Sequence, residues 1–247
     1  MANKYLSYDA ERAPKVRAMF SRIAGRYDVL NDAMSLGLHR LWKREAVAIA
    51  LAGRAGRVRL LDLCCGTGDL ALLAKATGPE GIGVVGLDFT LPMLGIARRR
   101  SVVSSRPPAF AQGDAMRLPF PDAVFDAVTM AYGLRNVADP LGCLREVRRV
   151  LAPGGRVVVL DFGRPDRPVP RALYGAFLRV AMPAVGWLFH RDPDTYRYIP
   201  ESLERFPAQR GVRELMGQAG LAGARYEDRM LGAMGLNVGE APSSASL

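Results

Sequence analysis

The stretch Leu60-Leu61-Asp62-Leu63-Cys64-Cys65-Gly66-Thr67-Gly68-Asp69-Leu70 constrains this chain more than any other. It begins as an apolar run, carries one acid near its end, breaks into a tight glycine turn and passes into an Ala/Leu-rich helical segment, 70–76. A strand, a glycine turn and a helix in that order gather backbone N–H groups and a helix N-terminus around a ligand. Gly66 and Gly68 let that ligand approach the main chain more closely than a Cβ would allow.

The same rhythm repeats downstream. Strands are expected over 58–63, 82–88, 109–112 and 124–130, with helices over 70–76, 91–100 and 141–151. Pro153-Gly154-Gly155 feeds another apolar strand over 156–162. Unbroken apolar strands alternating with amphipathic helices predict an α/β fold, a mostly parallel sheet covered on both faces. Residues 165–210 break the rhythm and read as a helical cap rich in Leu173, Tyr174, Phe177, Leu178, Val185, Trp187, Leu188 and Phe189. A helix over 212–219 and strands over 221–230 and 232–238 close the chain. Upstream, Val16, Met19, Phe20 and Ile23 mark one apolar helix face. The segment from Tyr27 to Trp42 is dense in Tyr, His, Asn and Ser, unlike a plain connector. The whole reads as a single domain: an N-terminal helical segment 1–52, a cofactor-binding core 58–164, the cap 165–210 and a closing part 211–247.

Charge and cysteines narrow the setting. The net charge is +10, almost all of it from Arg spread along the chain. This favours an anionic partner such as a membrane surface or nucleic acid, although coding-sequence base content gives the same excess. Cys64 and Cys65 point to opposite faces of a strand, and Cys143 stands far away in sequence, so neither a disulfide framework nor a metal site is expected. A reducing, cytoplasmic compartment follows. The apolar segment 169–189 is broken by Arg171, Arg179 and Pro183, whereas a spanning helix needs ~20 apolar residues.

Two ligands compete for the glycine turn. Gly66, Gly68 and Ala71 fit the spacing of a dinucleotide turn, with Asp88 twenty residues past Gly68. Three acids speak for a cation instead. Asp62, just before the turn, can hold an ammonium group. Asp88, ending the second strand, suits the hydroxyls of a ribose. Asp114, in Gly113-Asp114-Ala115, suits the exocyclic amine of an adenine. Three carboxylates fit S-adenosylmethionine and repel a pyrophosphate.

In these residues the chain resembles the class I S-adenosylmethionine-dependent methyltransferases. The stretch from Leu61 to Gly68 is similar to that family's first motif, and Pro153-Gly154-Gly155 to its strand-opening turn. The resemblance implies a Rossmann-like, seven-stranded sheet with its last strand antiparallel. It places the cofactor at Asp62, Gly66, Thr67, Gly68, Asp88, Asp114 and Ala115. A finer resemblance lies in Tyr27-Asp28-Val29-Leu30-Asn31-Asp32-Ala33-Met34-Ser35 with His39-Arg40-Leu41-Trp42, in Tyr132-Gly133-Leu134-Arg135-Asn136, and in the run from Arg149 to Arg156. These stretches look like motifs of the quinone C-methyltransferases of menaquinone and ubiquinone biosynthesis. The chain departs from the family pattern at Leu30, Ala131, Asp161, Gly163, Asn237 and Ala241.

The resemblance implies methyl transfer to a ring carbon of a prenylated quinol, and demethylmenaquinol is the expected acceptor, with a ubiquinone-pathway benzoquinol the alternative. A phenolic pKa of about 10 leaves such a quinol mostly protonated at neutral pH. Arg135 is therefore the expected stabiliser of the oxyanion, Asn136 the group that orients the hydroxyl, and Tyr27 the side chain that closes over cofactor or ring. His39 is a further candidate base. The cap and its Arg residues suit an isoprenoid tail and peripheral contact with an anionic membrane. A homodimer is the default assembly. Other readings are methylation of a different small molecule and a nucleic-acid-binding protein. Against the latter, the Arg residues interleave with apolar residues, not with an aromatic stacking platform.

Overall fold

The structure, a computed structural model, describes residues 12–181, 184 and 194–243. Seven strands form one sheet: β1 (Arg59–Leu63), β2 (Gly83–Asp88), β3 (Ala109–Gln112), β4 (Phe125–Ala131), β5 (Leu151–Phe162), β6 (Ala222–Arg229) and β7 (Met234–Glu240), in the order β3-β2-β1-β4-β5-β7-β6. β1 to β5 pair in parallel, and β7 runs antiparallel to both its neighbours. The winding therefore reverses between β1 and β4, which opens a crevice at the carboxyl ends of those strands. The first glycine turn leaves the sheet at that crevice.

The helices are α1 (Arg12–Ile23), α2 (Tyr27–Ser35), α3 (Leu38–Leu51), α4 (Asp69–Thr77), α5 (Leu91–Ser101), α6 (Pro140–Val150), α7 (Pro168–Ala176), α8 (Asp194–Arg205) and α9 (Ala208–Gln218). On one face of the sheet α6 and α9 bury Leu144, Val147, Val212 and Met216 against Val128, Val157 and Val159. On the other, α3 and α4 bury Trp42, Ala46, Val47, Leu70 and Ala74 against Leu60, Val84, Val158 and Leu236. With both faces covered, the central strands can be continuously apolar, as their sequence is.

Local chemistry sets the boundaries. Asp139 caps α6 by accepting from Leu141 N at 3.0 Å, and Pro140 follows in the first turn. α2, which no periodicity announced, stops where Leu36 and Gly37 both turn left-handed (φ 50° and 78°) and the Gly37 N–H bonds back to Asp32 O. α3 starts at Leu38, directly after that left-handed pair. β5 begins at Leu151 rather than 156, its register jumping from Phe125↔Leu151 to Ala127↔Arg156 across the glycine-rich turn.

The cap is partly described. α7 continues into a single π-helical turn, Phe177–Ala181, and α8 returns toward α9. Val185, Trp187, Leu188 and Phe189 lie outside the described residues. Among the described residues no helix is long and apolar enough to cross a membrane.

Candidate active site

Two cavities meet above the carboxyl ends of β1, β2 and β4. The smaller is lined by Gly66, Asp88, Asp114 and Ala115, by the apolar Leu87, Phe89, Met93 and Met116, and by Asn136. Among the described residues, two carboxylates face it and no Lys or Arg does, in a chain of net charge +10. That balance fits a cationic ligand and opposes a pyrophosphate.

Asp88 is held where it can serve such a ligand. Its Oδ2 accepts from Gly66 N at 2.9 Å and its Oδ1 from Thr90 N at 2.8 Å, so the second strand's last residue and the glycine turn are one unit. Burial raises its pKa, and the N–H bonds work in the opposite direction. Gly66 has φ 54°, and no atom lies within 4 Å of where a Cβ would stand, so its backbone is open to the cavity. Asp114 accepts from Met116 N at 2.9 Å and keeps an exposed carboxylate at the cavity's far edge.

The other residues expected at the cofactor do different work. Asp62 is 1% exposed and does not line the cavity. Its Oδ2 accepts from Ala71 N at 3.0 Å and its Oδ1 from the Thr129 hydroxyl at 3.1 Å. It fastens β1 to the first turn of α4 and to β4, and burial pushes its pKa up to about 7. At Gly68 a Cβ would meet Ala97 and Phe110 at 3.1 Å, so this glycine admits α5 and β3 rather than a ligand. Thr67 donates its hydroxyl to Asp28 Oδ1 at 2.8 Å. Sequence spacing locates all three at the turn but does not say which way each side chain faces.

The larger cavity, of about 490 Å³, is mostly apolar. Its size falls within the roughly 300–1,000 Å³ of small-molecule sites. Leu30, Leu38, Trp42, Leu173, Phe177 and Ile199 are among its lining, drawn from α2, α3, the cap and α8. Phe20, Tyr27 and Tyr132 line both cavities and form the wall between them. Phe20 and Tyr27 meet edge-to-face with centroids 6.1 Å apart. Tyr132 holds the left-handed φ of 58°, which aims its ring at this wall, and Gly133 follows because a Cβ there would lie 2.6 Å from Cys64 Cβ.

Arg135 lines the larger cavity and is 6% exposed. Its Nη1 donates to Asp161 Oδ1 at 2.7 Å and to Tyr132 O at 2.9 Å, and its guanidinium carbon lies 4.7 Å from the centre of the Phe162 ring. Burial opposes the charge, but the Asp161 carboxylate together with Tyr27 and Tyr198 favours it, and the net shift of its pKa is upward. Its Nε is buried without a hydrogen-bond partner among the described residues. Asn136 faces the smaller cavity, but its amide is engaged: Nδ2 donates to Tyr132 O at 2.8 Å, and Oδ1 accepts from Tyr198 OH at 3.0 Å. Asn136 thus ties the Tyr132–Arg135 turn to α8 of the cap.

Asp161, Asp28, Phe20 and Tyr132 were missing from the candidate set. A Tyr-Gly pair directly after an apolar strand is a signal that could have singled out position 132, whereas Asp28 and Asp161 find their partners only across the fold. Two departures from the family pattern also have local causes. A Cβ at Gly163 would lie 2.4 Å from Gly232 O, so no larger residue fits. Asn237 is buried and donates from Nδ2 to Gln209 O at 2.7 Å.

Residues 8–240 match the model of the ubiE/COQ5 methyltransferase family. The chain belongs to that family. A demethylmenaquinone methyltransferase of Thermus thermophilus is 46% identical over 91% of this chain and 100% of its own length. The ubiquinone/menaquinone biosynthesis C-methyltransferase UbiE of Hahella chejuensis is 39% identical over 93% of this chain and 92% of its own. Among solved structures, an S-adenosylmethionine-dependent methyltransferase from Thermotoga maritima aligns with a TM-score of 0.64 at 20% identity, covering 91% of this chain and 98% of its own. The phosphoethanolamine N-methyltransferase 2 of Haemonchus contortus in complex with S-adenosyl-L-methionine aligns with a TM-score of 0.60 at 15% identity, covering 81% and 52%. At these identities the structural likeness carries the fold. Sheet order, strand polarity and family membership make this chain a methyltransferase that uses S-adenosylmethionine.

Proposed function

We propose that this methyltransferase transfers a methyl group from S-adenosylmethionine to a ring carbon of a prenylated quinol, with demethylmenaquinol the preferred acceptor. The observation that carries this reading is the pairing of an acid-lined cavity with a large apolar one across a wall of Phe20, Tyr27 and Tyr132. S-adenosylmethionine supplies an electrophilic methyl on a sulfonium sulfur. Asp88 and Asp114 would hold its ribose and adenine ends, with Gly66 and Ala115 lining the path and Asp62 and Thr67 fixing the turn from behind. The apolar cavity accommodates a ring and the start of an isoprenoid tail, while Tyr27 and Tyr132 align the ring with the methyl and exclude water. Arg135, buried and cationic beside that cavity, stabilises the oxygen on which charge develops. Asn136, occupied by Tyr132 and Tyr198, supports the arrangement rather than gripping substrate.

The same reading extends to a lipid surface. Leu36, Met230 and Leu231 all line the larger cavity, all have positive φ (50°, 49° and 57°), and all are more than half exposed. Strained backbone that displays apolar side chains to water is costly unless something covers them. With Leu173 and Phe177 they rim an opening through which a tail could pass from a bilayer. The deciding experiment supplies purified protein with S-adenosylmethionine and, side by side, reduced prenylated naphthoquinone and benzoquinone precursors. Methylation of the naphthoquinol at the higher kcat/KM is expected; turnover of neither would overturn the reading.

A further inference from the structure

The family motif around His39 is present in the chain, and the fold gives that histidine an arrangement with a direct chemical use. His39 is 3% exposed and lines the larger cavity. Its Nε2 lies 2.8 Å from Asp32 Oδ1. A carboxylate can only accept, so Nε2 carries the proton and Nδ1 presents a bare lone pair. Nδ1 is buried and has no hydrogen-bond partner among the described residues. Asn31 Nδ2 and Arg135 Nε, on two other residues lining the same cavity, are likewise buried without partners. Buried polar atoms without partners are rare and costly, and all three belong to residues that line this one apolar cavity, so a polar group of a ligand seated there could satisfy them.

We infer that His39, oriented by Asp32, is the proton acceptor for the acceptor's hydroxyl. The inference rests on the quinol reading above and adds the residue that ionises the ring. The O–H bond breaks, its electron pair stays on oxygen, and the proton becomes Nδ1–H of an imidazolium whose Nε2–H remains on Asp32. Arg135 lines the same cavity and favours the oxyanion so formed. The ring carbon takes the methyl as the S–CH3 bond breaks, its own C–H proton is then lost and the oxygen is reprotonated to restore the quinol, and the one proton left over passes from the imidazolium to water. Asp32 is suited to the task, because Arg40 and His39 hold its carboxyl well below the usual range and keep it ionised. The charged groups that act on His39 are Asp32 from α2, Lys43 from its own helix and Asp69 from α4. Burial favours its neutral form, so the ring is a ready base at neutral pH.

The chain has two histidines, which makes the test tractable. Nitrogen-15 NMR of imidazole-labelled protein, assigned with His39→Gln, should show His39 protonated at Nε2 and bare at Nδ1 at pH 7. In kinetics, His39→Gln should lower kcat by about 10²-fold, within the range of general-base catalysis, while S-adenosylmethionine affinity by calorimetry stays within about twofold. The acid limb of the kcat profile should disappear, and the loss should shrink at least about tenfold on a ring-fluorinated quinol whose hydroxyl ionises unaided. Should His39→Gln fail to fold, Asp32→Asn takes its place. Losing the hydrogen bond that raises the histidine's pKa should move the acid limb to lower pH. A protonated Nδ1, an unchanged rate in His39→Gln, an equal loss on both quinols, or an unmoved limb in Asp32→Asn would each overturn the inference. A wild-type enzyme that methylates no quinol would instead sink the function on which it rests.

Discussion

Arg135 and Asp161 are buried to 6% and 4% exposure and 2.7 Å apart, so each is tolerable only with the other. Arg135→Ala should abolish most turnover while leaving S-adenosylmethionine binding intact, but it also strands a buried carboxylate at a cost of about 3–5 kcal/mol. The paired replacement Arg135→Met with Asp161→Leu removes both charges and separates the two effects. Thermal stability should return toward wild type while turnover stays lost, and recovery of turnover would remove Arg135 from the chemistry. Asp62 offers a different residue-scale test. Its folded pKa of about 7 lies above the ordinary 3.8, so the folded state binds the extra proton between those values. Stability therefore falls as pH rises through that window, by at most about 1.4 kcal/mol per unit. In Asp62→Asn the amide can still accept from Ala71 N and donate to the Thr129 hydroxyl, without the buried charge. Denaturation midpoints should shift in the variant's favour between pH 5 and pH 8, and a constant offset would show that Asp62 does not titrate there.

At the scale of elements, α2 is clamped onto the glycine turn. Asp28 accepts from the Thr67 hydroxyl and, at 3.2 Å, from Arg100. Arg100 also pairs with Asp69 at 2.7 Å, and Lys43 reaches the same carboxylate at 2.6 Å. One network thus joins α2 and α3, which line the larger cavity, to α4 and α5, and Tyr27 at the start of α2 stands in the wall between the two cavities. Asp28 is over a third exposed, so its ion pair adds under about 1 kcal/mol to stability. Asp28→Ala should accordingly leave the melting temperature nearly unchanged yet raise KM for both cofactor and quinol roughly fivefold, the equivalent of about 1 kcal/mol of lost positioning. An effect on one substrate alone would show that the clamp does not couple the two cavities. The motif dense in Tyr, Asn and His announced that this segment matters. It could not announce a helix, because the face of α2 that lines the cavity is polar and apolar by turns and gives no clean period.

On the scale of the whole molecule, charge and shape meet at one opening. The net charge of +10 coexists with an acid-lined smaller cavity, so the positive field lies elsewhere, and Leu36, Met230 and Leu231 form an exposed apolar rim of the larger cavity. Pelleting with anionic vesicles should exceed pelleting with neutral ones and weaken as salt shortens the screening length from about 10 Å at 0.1 M. Leu36→Ser with Leu231→Ser should reduce it further without loss of folding; salt-independent or absent binding would exclude the membrane role. The alternation of apolar strands and amphipathic helices, with glycine turns between them, was enough by itself to specify a mostly parallel sheet and the strand ends where Asp88, Asp114 and Gly66 stand. Those are local and periodic properties, written in consecutive residues. Only the tertiary structure decided which of the turn's residues face the cavity. It turned Asp62 and Gly68 inward to hold α4 and admit α5, paired Arg135 with an aspartate 26 residues away, and brought His39 onto the same cavity. Side-chain direction and long-range pairing depend on how helices pack over the sheet, and sequence spacing carries no record of that packing.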